Sequence, residues 1–312
     1  MKNSKKSLLS SKGFIHNRVK INSQSIDKFI TENKGKYNIK TMCKIFGLPR
    51  STYYDRINRK PSKRSLENKK FKDLIMNIYL ESKKRYGAPK ITIKLKKLGH
   101  KISVKRVQRL MRELNIRSIV KKKYRHYSSN NSNFKRGKNI LKRDFNASGI
   151  NKKWVTDITY IHTLKDGWCY LASVMDLFTK KIVGYSFSKT MDTKITLEAL
   201  NRAYKKQKPE NKIIIHSDRG SQYISDIFRN KAKDLGFIQS FSSKGNPYDN
   251  AVIESFHAIL KKEEVHHNKY RDYHDASLAI FQFIEGWYNR NRIHSSIDYM
   301  TPNEFEKKAL SV

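Results

Sequence analysis

The sequence predicts an α/β fold, a mixed β-sheet with helices packed on it in the order βββαβαβα, preceded by all-α helix-turn-helix segments. Three observations predict it. Between residues 153 and 188 three β-rich runs follow one another with short turns between them. The segment "KIIIHSD" (212–218) is a continuous apolar run of the kind a strand buried on both faces requires. Upstream of residue 119 the apolar spacing is helical, with Gly47 and Gly99 where helical hairpins turn.

Charge sets the class of partner. The 312 residues include 67 Lys and Arg against 27 Asp and Glu, a formal net charge of +40. Such an excess repels itself unless a polyanion neutralises it, and a nucleic-acid backbone is the obvious one. No apolar run approaches the roughly 18–20 residues that span a bilayer, so no membrane partner is expected. Cys43 and Cys169 lie far apart with no CxxC spacing, which excludes a disulfide framework and a zinc ribbon and suits a reduced intracellular setting.

The basic half divides by composition. Residues 1–26 are expected to be a basic, disordered tail and 27–60 a helix-turn-helix. In the latter Met42, Ile45 and Phe46 lead to Gly47, and Pro49 and Ser51 open the next helix. Residues 66–118 hold a second helix-turn-helix, with Gly99 ending one helix and Ser103 capping the next. Val104, Val107, Leu110, Met111 and Leu114 share one face of that helix. Its other face presents Lys105, Arg106, Gln108, Arg109 and Arg112, side chains suited to phosphates and to guanine and adenine edges in a major groove. Residues 119–149 lose periodicity and read as a basic linker, lying along phosphates or serving as a plain tether.

The catalytic half is expected at 150–265, with a helical extension at 266–312. Strands are predicted over 153–163, 167–179 and 181–188, a helix over 194–207, and a strand over 212–218. A helix about 224–235, a short strand "FIQSFS" and a helix after "GNPYDN" complete the order. Three carboxylates stand out: Asp157 within the first strand, Asp218 at the end of the buried strand, and Glu254 on the last helix. An acid in a sheet centre is costly unless a charge meets it. Three converging would make an anionic pocket suited to hard divalent cations, Mg²⁺ or Mn²⁺, with two ions clamping a phosphodiester. On the last helix Val252, Phe256, Ile259 and Leu260 form an apolar side, while Glu254, His257 and Lys261 form a polar stripe expected to face the site and DNA.

"WVTDITYI", "HSDRGSQY", "NPYDNAVIESFHAILKKE" and "YNRNRIHSSIDYMTP" together resemble the downstream-frame (OrfB) product of IS-three-type insertion-sequence transposases. The resemblance runs from about residue 36 to 308 and includes "YGAPKI" (86–91). It implies an RNase H-like core similar to retroviral integrases. It also implies a D…D-35-E arrangement, met by Asp157, Asp218 and Glu254 with 35 residues between the last two. It implies a DDE-type polynucleotidyl transferase that cleaves DNA at the transposon's inverted-repeat ends and transfers the 3′-hydroxyl into target DNA. Double-stranded DNA, further copies of the chain, and the upstream-frame (OrfA) product or a frameshift fusion with it are the implied partners, in a bacterial cytoplasm at the nucleoid. Residues 1–35 carry no sustained heptad, so the chain is expected to be the downstream product, alone or as one part of a fusion. The family's basic residue one turn after the Glu is Ala258 here. A non-catalytic DNA-binding regulator or inhibitor of transposition, and a structure-selective nuclease of the same fold, are the alternative functions.

Other polar residues have structural readings. Asp166 and Asp176 are expected to form turns, Asp249 to serve a turn or helix cap, and His216 to be packed and hydrogen-bonded. The aromatics of 280–292 should build core, leaving Asn289, Arg290 and Arg292 available to phosphate.

Overall fold

The computed structural model describes residues 22–119, 137–243 and 247–311. The chain divides into two compact units, Met1–Phe71 and Lys72–Val312. The first holds three described helices: α1 (Ser23–Asn33), α2 (Ile39–Ile45) and α3 (Arg50–Ile57). Ile30, Met42, Cys43 and Tyr53 form its small core. Gly47 turns the chain between α2 and α3 at φ +65°, where a Cβ would be strained. Asn22 caps α1 by accepting from the Gln24 amide at 3.1 Å, so residues 23–26, expected in the tail, are helical. The rest of the expected tail lies outside the described residues.

Helix α4 (Lys63–Glu81) contains the division between units. In the second unit α5 (Ala88–Lys97) and α6 (Val104–Glu113) make the second helical hairpin. Gly99 turns at φ +83°, and Ser103 Oγ accepts from the Arg106 amide at 3.2 Å as the sequence predicts. Val107, Leu110 and Met111 are buried as expected, but Val104 is exposed in the first turn, before the helix reaches its packing partner.

The sheet runs β3-β2-β1-β4-β5, built from β1 (Lys153–Thr163), β2 (Gly167–Asp176), β3 (Ile182–Ser188), β4 (Ile214–Ser217) and β5 (Ile238–Phe241). The first three strands are antiparallel, and β4 and β5 join parallel to β1. That order, with helices α7 (Thr193–Gln207), α8 (Ser221–Ile224) and α9 (Asp226–Asp234) inserted between strands, is the predicted mixed sheet. Ser225 ends α8 and caps α9, which is the helix expected about 224–235; α8 is a further turn before it. Trp154, Val174, Val183, Ala199 and Phe228 belong to one core between sheet and helices. Gly184 lets α7 approach: a Cβ there would lie 2.5 Å from the Ala199 carbonyl oxygen.

Two expectations are corrected here. The described part of the expected linker, 137–149, is packed on the sheet. The Ile140 and Leu141 amides donate to Ser240 Oγ at 2.9 and 3.0 Å, the Phe241 amide donates to the Lys138 carbonyl, and Leu141 is buried. Backbone donors satisfied by one serine are invisible to composition. Residues 120–136 lie outside the described residues.

In the C-terminal extension α11 (Tyr273–Phe281) continues as a π-helical stretch, Gln282–Tyr288, which turns Phe283, Ile284, Trp287 and Tyr288 inward as predicted. Asn289 and Arg292, however, are structural. Asn289 exchanges two 3.0 Å hydrogen bonds with the Ile182 backbone, and Arg292 pairs with Glu263. Only Arg290 of the three is exposed. The capped helix α12 (Pro302–Leu310) ends the fold. Among the described residues no helix is long and apolar enough to cross a membrane, and Cys43 and Cys169 are free and buried.

Candidate active site

Asp157 lies in the middle of β1, paired in register with Ser173 of β2. Asp218 follows the last residue of β4, the parallel neighbour of β1, so adjacent strands deliver two carboxylates to one end of the sheet. Burial, and then the Asp157 charge, push the Asp218 carboxyl up to about 6, while the Gly220 amide opposes this by donating to Oδ1 at 2.9 Å. Two carboxylates that repel in a half-buried setting need a cation or a proton. Tyr223 lies in the same field: burial and the charges of Asp157 and Asp218 raise its hydroxyl, which shares a 3.2 Å hydrogen bond with Thr156.

Glu254 sits in the exposed first turn of α10 (Ala251–Glu263). Among the described residues no group of three or more His, Cys, Asp or Glu is gathered to hold a metal ion, so Glu254 is not drawn into one cluster with the two aspartates. The donor chemistry present still fits a hard divalent cation, because Asp157 and Asp218 offer oxygen only and their mutual repulsion is what such a cation would relieve.

His257 is buried, with Nδ1 3.4 Å from Asp157 Oδ2, so this member of the polar stripe lies against one of the candidate carboxylates. The buried arc of α10 contains Ile253, Phe256, His257, Leu260 and Glu263, rotated from the arc predicted through Val252 and Ile259. Lys261 is half-buried with its ammonium 4.1 Å from the centroid of the Tyr160 ring. Burial lowers its pKa and the nearby Asp157 charge opposes that. The "KKEE" run is no soluble patch: Glu263 binds Arg292 and Glu264 binds Arg85.

Asp249, expected in a turn or cap, does more. It is 1% exposed and accepts from Arg143 Nε at 2.7 Å, Asn139 Nδ2 at 2.9 Å and the Ser243 amide at 2.7 Å. Burial pushes its carboxyl up, but Arg143 and Ser243 outweigh that and hold it below the usual range. It thereby clasps residues 139–143 beside the loop that leads to α10. No local pattern announces the clasp, since Arg143 and Asn139 lie more than a hundred residues upstream. His216 is packed as predicted, sharing hydrogen bonds with Ser240 (2.9 Å) and Ser242 (3.1 Å), and burial lowers its pKa to about 4. Asp166 and Asp176 hold turns, through Tyr273 and Lys189 and through Thr179 and Asn151.

On α6, Lys105, Gln108, Arg109 and Arg112 are exposed on a common side, while Arg106 is half-buried. Arg109 also approaches Glu113 at 3.8 Å.

Residues 147–247 and 235–302 match integrase core domain families, and residues 65–124 match an HTH-like domain family. The chain is 38% identical over 252 residues to the transposase for insertion sequence element IS904 of Lactococcus lactis, covering 80% of this chain and 99% of that protein. It is 34% identical over 285 residues to transposase InsF for insertion sequence IS3A of Escherichia coli, covering 91% and 99%. Among solved structures it is similar to the simian T-cell lymphotropic virus intasome in complex with PP2A regulatory subunit B56 gamma, at 16% identity and TM-score 0.43, covering 73% of each chain. It is also similar to the HTLV-2 integrase catalytic core domain in complex with magnesium, at 17% identity and TM-score 0.39, covering 51% of this chain and 98% of that one. With nearly the full length of its relatives matched at these identities, the chain belongs to the IS3-type insertion-sequence transposases, proteins with an integrase core and an HTH-like domain.

Proposed function

We propose that this chain is the catalytic subunit of transposition, with Asp157, Asp218 and Glu254 as its catalytic carboxylates. The reaction is hydrolysis at transposon ends followed by attack of the freed 3′-hydroxyl on a target phosphodiester. The observation that carries the assignment is the Asp157–Asp218 pair, delivered by adjacent parallel strands, with burial and then the Asp157 charge raising Asp218 to about 6. Mg²⁺ or Mn²⁺ bound by these oxygens would polarise the scissile phosphate and stabilise attacking and leaving oxygens. Asp157 and Asp218 supply the fixed anionic donors. Glu254 stands one turn before His257 on the helix that meets Asp157, which favours it as the third ligand on the DNA-bound enzyme. His257 steadies Asp157, and Lys261 offers a cation beside the carboxylates to a DNA phosphate.

DNA is held upstream. The exposed Lys105, Gln108, Arg109 and Arg112 of α6, with Arg106 at their border, suit a major groove, and the chain acts as an oligomer on DNA, with or without fusion to the upstream-frame product. The test is strand cleavage and joining on DNA carrying the element's ends with added Mg²⁺. Asp157→Asn, Asp218→Asn and Glu254→Gln should each abolish both while leaving DNA affinity in chelator intact. Near wild-type cleavage by any one variant removes that residue from the site.

A further inference from the structure

The β1–β2 hairpin holds three aromatic side chains in solvent. His162 stands directly opposite Trp168 in the antiparallel register, and Tyr160 lies two pairs further along, on the same face. Tyr160 and Trp168 meet edge to face at 5.1 Å, and His162 and Trp168 at 5.0 Å. Trp168 is 54% exposed, whereas Trp154 and Trp287 are buried. Rings so displayed leave apolar surface in water, and an exposed aromatic group with a cation beside it suits a binding surface.

Its position ties it to the carboxylates. Tyr160 lies three residues beyond Asp157, roughly 10 Å along the strand and, by the alternation of the strand, on the opposite face of the sheet. β4 covers that edge of β1 only from Lys153 to Val155, and the edge is next bridged at Thr163 by Tyr270. Helix α10 flanks the interval, with His257 at Asp157 and the Lys261 ammonium on the Tyr160 ring. Lys261, on the Tyr160 ring and near the Asp157 charge, therefore links the carboxylates to the edge-to-face rings around the uncovered edge of β1, over a span of about three nucleotides at 3.4 Å per step.

We infer that Tyr160, His162 and Trp168 form a stacking platform for unpaired bases of the DNA end, with Lys261 between the platform and the carboxylate pair. Every base has a π-face, so such a platform works without sequence preference, and the chain's +40 charge brings nucleic acid to it in preference to most proteins. An end whose terminal bases are drawn onto the rings would pass Lys261 at the uncovered edge of β1 on the way to the carboxylates. The inference rests on the cleavage function proposed above for the identity of the strand, although stacking itself requires no chemistry.

The test uses the full chain in chelator. Two duplexes are compared, one blunt and one with a three-nucleotide unpaired flank containing 2-aminopurine. The wild type should bind the flanked duplex about tenfold more tightly and quench the 2-aminopurine. Trp168→Ala and Tyr160→Ala should lose both the preference and the quench with blunt-duplex affinity unchanged, while Trp168→Phe keeps them. Asp157→Asn should quench as the wild type does, so failure of the catalytic assignment would leave this result standing. Preference and quench persisting in both alanine variants overturn the platform. So does a change of oligomeric state in Trp168→Ala with the preference intact, which would make the patch a contact between copies. Loss of quench in Trp168→Phe as well, with the fold retained by circular dichroism, also counts against stacking.

Discussion

His257 Nδ1 lies 3.4 Å from Asp157 Oδ2, inside the fold, and its other ring nitrogen has no hydrogen-bond partner among the described residues. The imidazole therefore has one polar neighbour that matters, the carboxylate at the centre of the proposed site. Side chains that orient a metal-binding carboxylate typically contribute 10- to 100-fold in metal affinity or activity. His257→Ala should lower Mg²⁺-dependent cleavage by roughly that factor at limiting Mg²⁺, with partial recovery at high Mg²⁺ and unchanged DNA affinity in chelator. Cleavage titrated against Mg²⁺ checks this, and an unaltered curve would show that the ring only fills space.

Asp218 allows a stability measurement independent of catalysis. Its folded pKa of about 6 lies above the ordinary carboxyl value of 3.8, so ionised Asp218 penalises the folded state above pH 6 and the penalty fades as pH falls towards 4. Asp218→Asn should stabilise the chain at pH 7 by up to about 3 kcal/mol, with most of that gain lost by pH 4.5. His216 is present in wild type and variant alike, so its opposite pH dependence cancels in the difference. Urea unfolding of both proteins at pH 7 and pH 4.5 measures the gain. Added Mg²⁺ should stabilise the wild type and not the variant. A difference that stays the same at both pH values would mean that neither burial nor the Asp157 charge raises Asp218.

Glu263 closes the C-terminal end of α10. It accepts from Arg292 Nη2 at 2.9 Å and from Trp287 Nε1 at 3.0 Å, while its carbonyl accepts from Arg85 Nε at 3.1 Å. Burial, then the Arg292 charge, push neighbouring His294 down to about 2, so no imidazolium competes for the carboxylate. Glu263→Gln leaves a buried guanidinium without its counter-ion and should cost about 3–5 kcal/mol. Glu263→Leu combined with Arg292→Met should recover much of that loss, because the buried charge leaves with its partner. Equilibrium urea unfolding of the single and double variants gives the comparison. Equal loss in both would point to packing rather than charge.

The sequence by itself determined the strands and the helical hairpins and pointed to the candidate acids, because each is written in local chemistry. Alternation and apolar runs are properties of adjacent residues, so β1 to β4 fall within a few residues of expectation, and Gly47, Gly99 and Ser103 mark turns and a cap where the sequence places them. Family motifs preserve spacing, which is why Asp157, Asp218 and Glu254 could be named before any geometry. Only the tertiary structure decided which side of α10 faces inward. Helical periodicity assigns polar residues to solvent, but His257 and Glu263 are buried because Asp157 and Arg292, distant in sequence, meet them. The same reason hid the clasp of Asp249 on Arg143, the docking of residues 137–149 along β5 and the burial of Asn289. A polar side chain's place is fixed by its partner's position, and that exists only once the chain has folded.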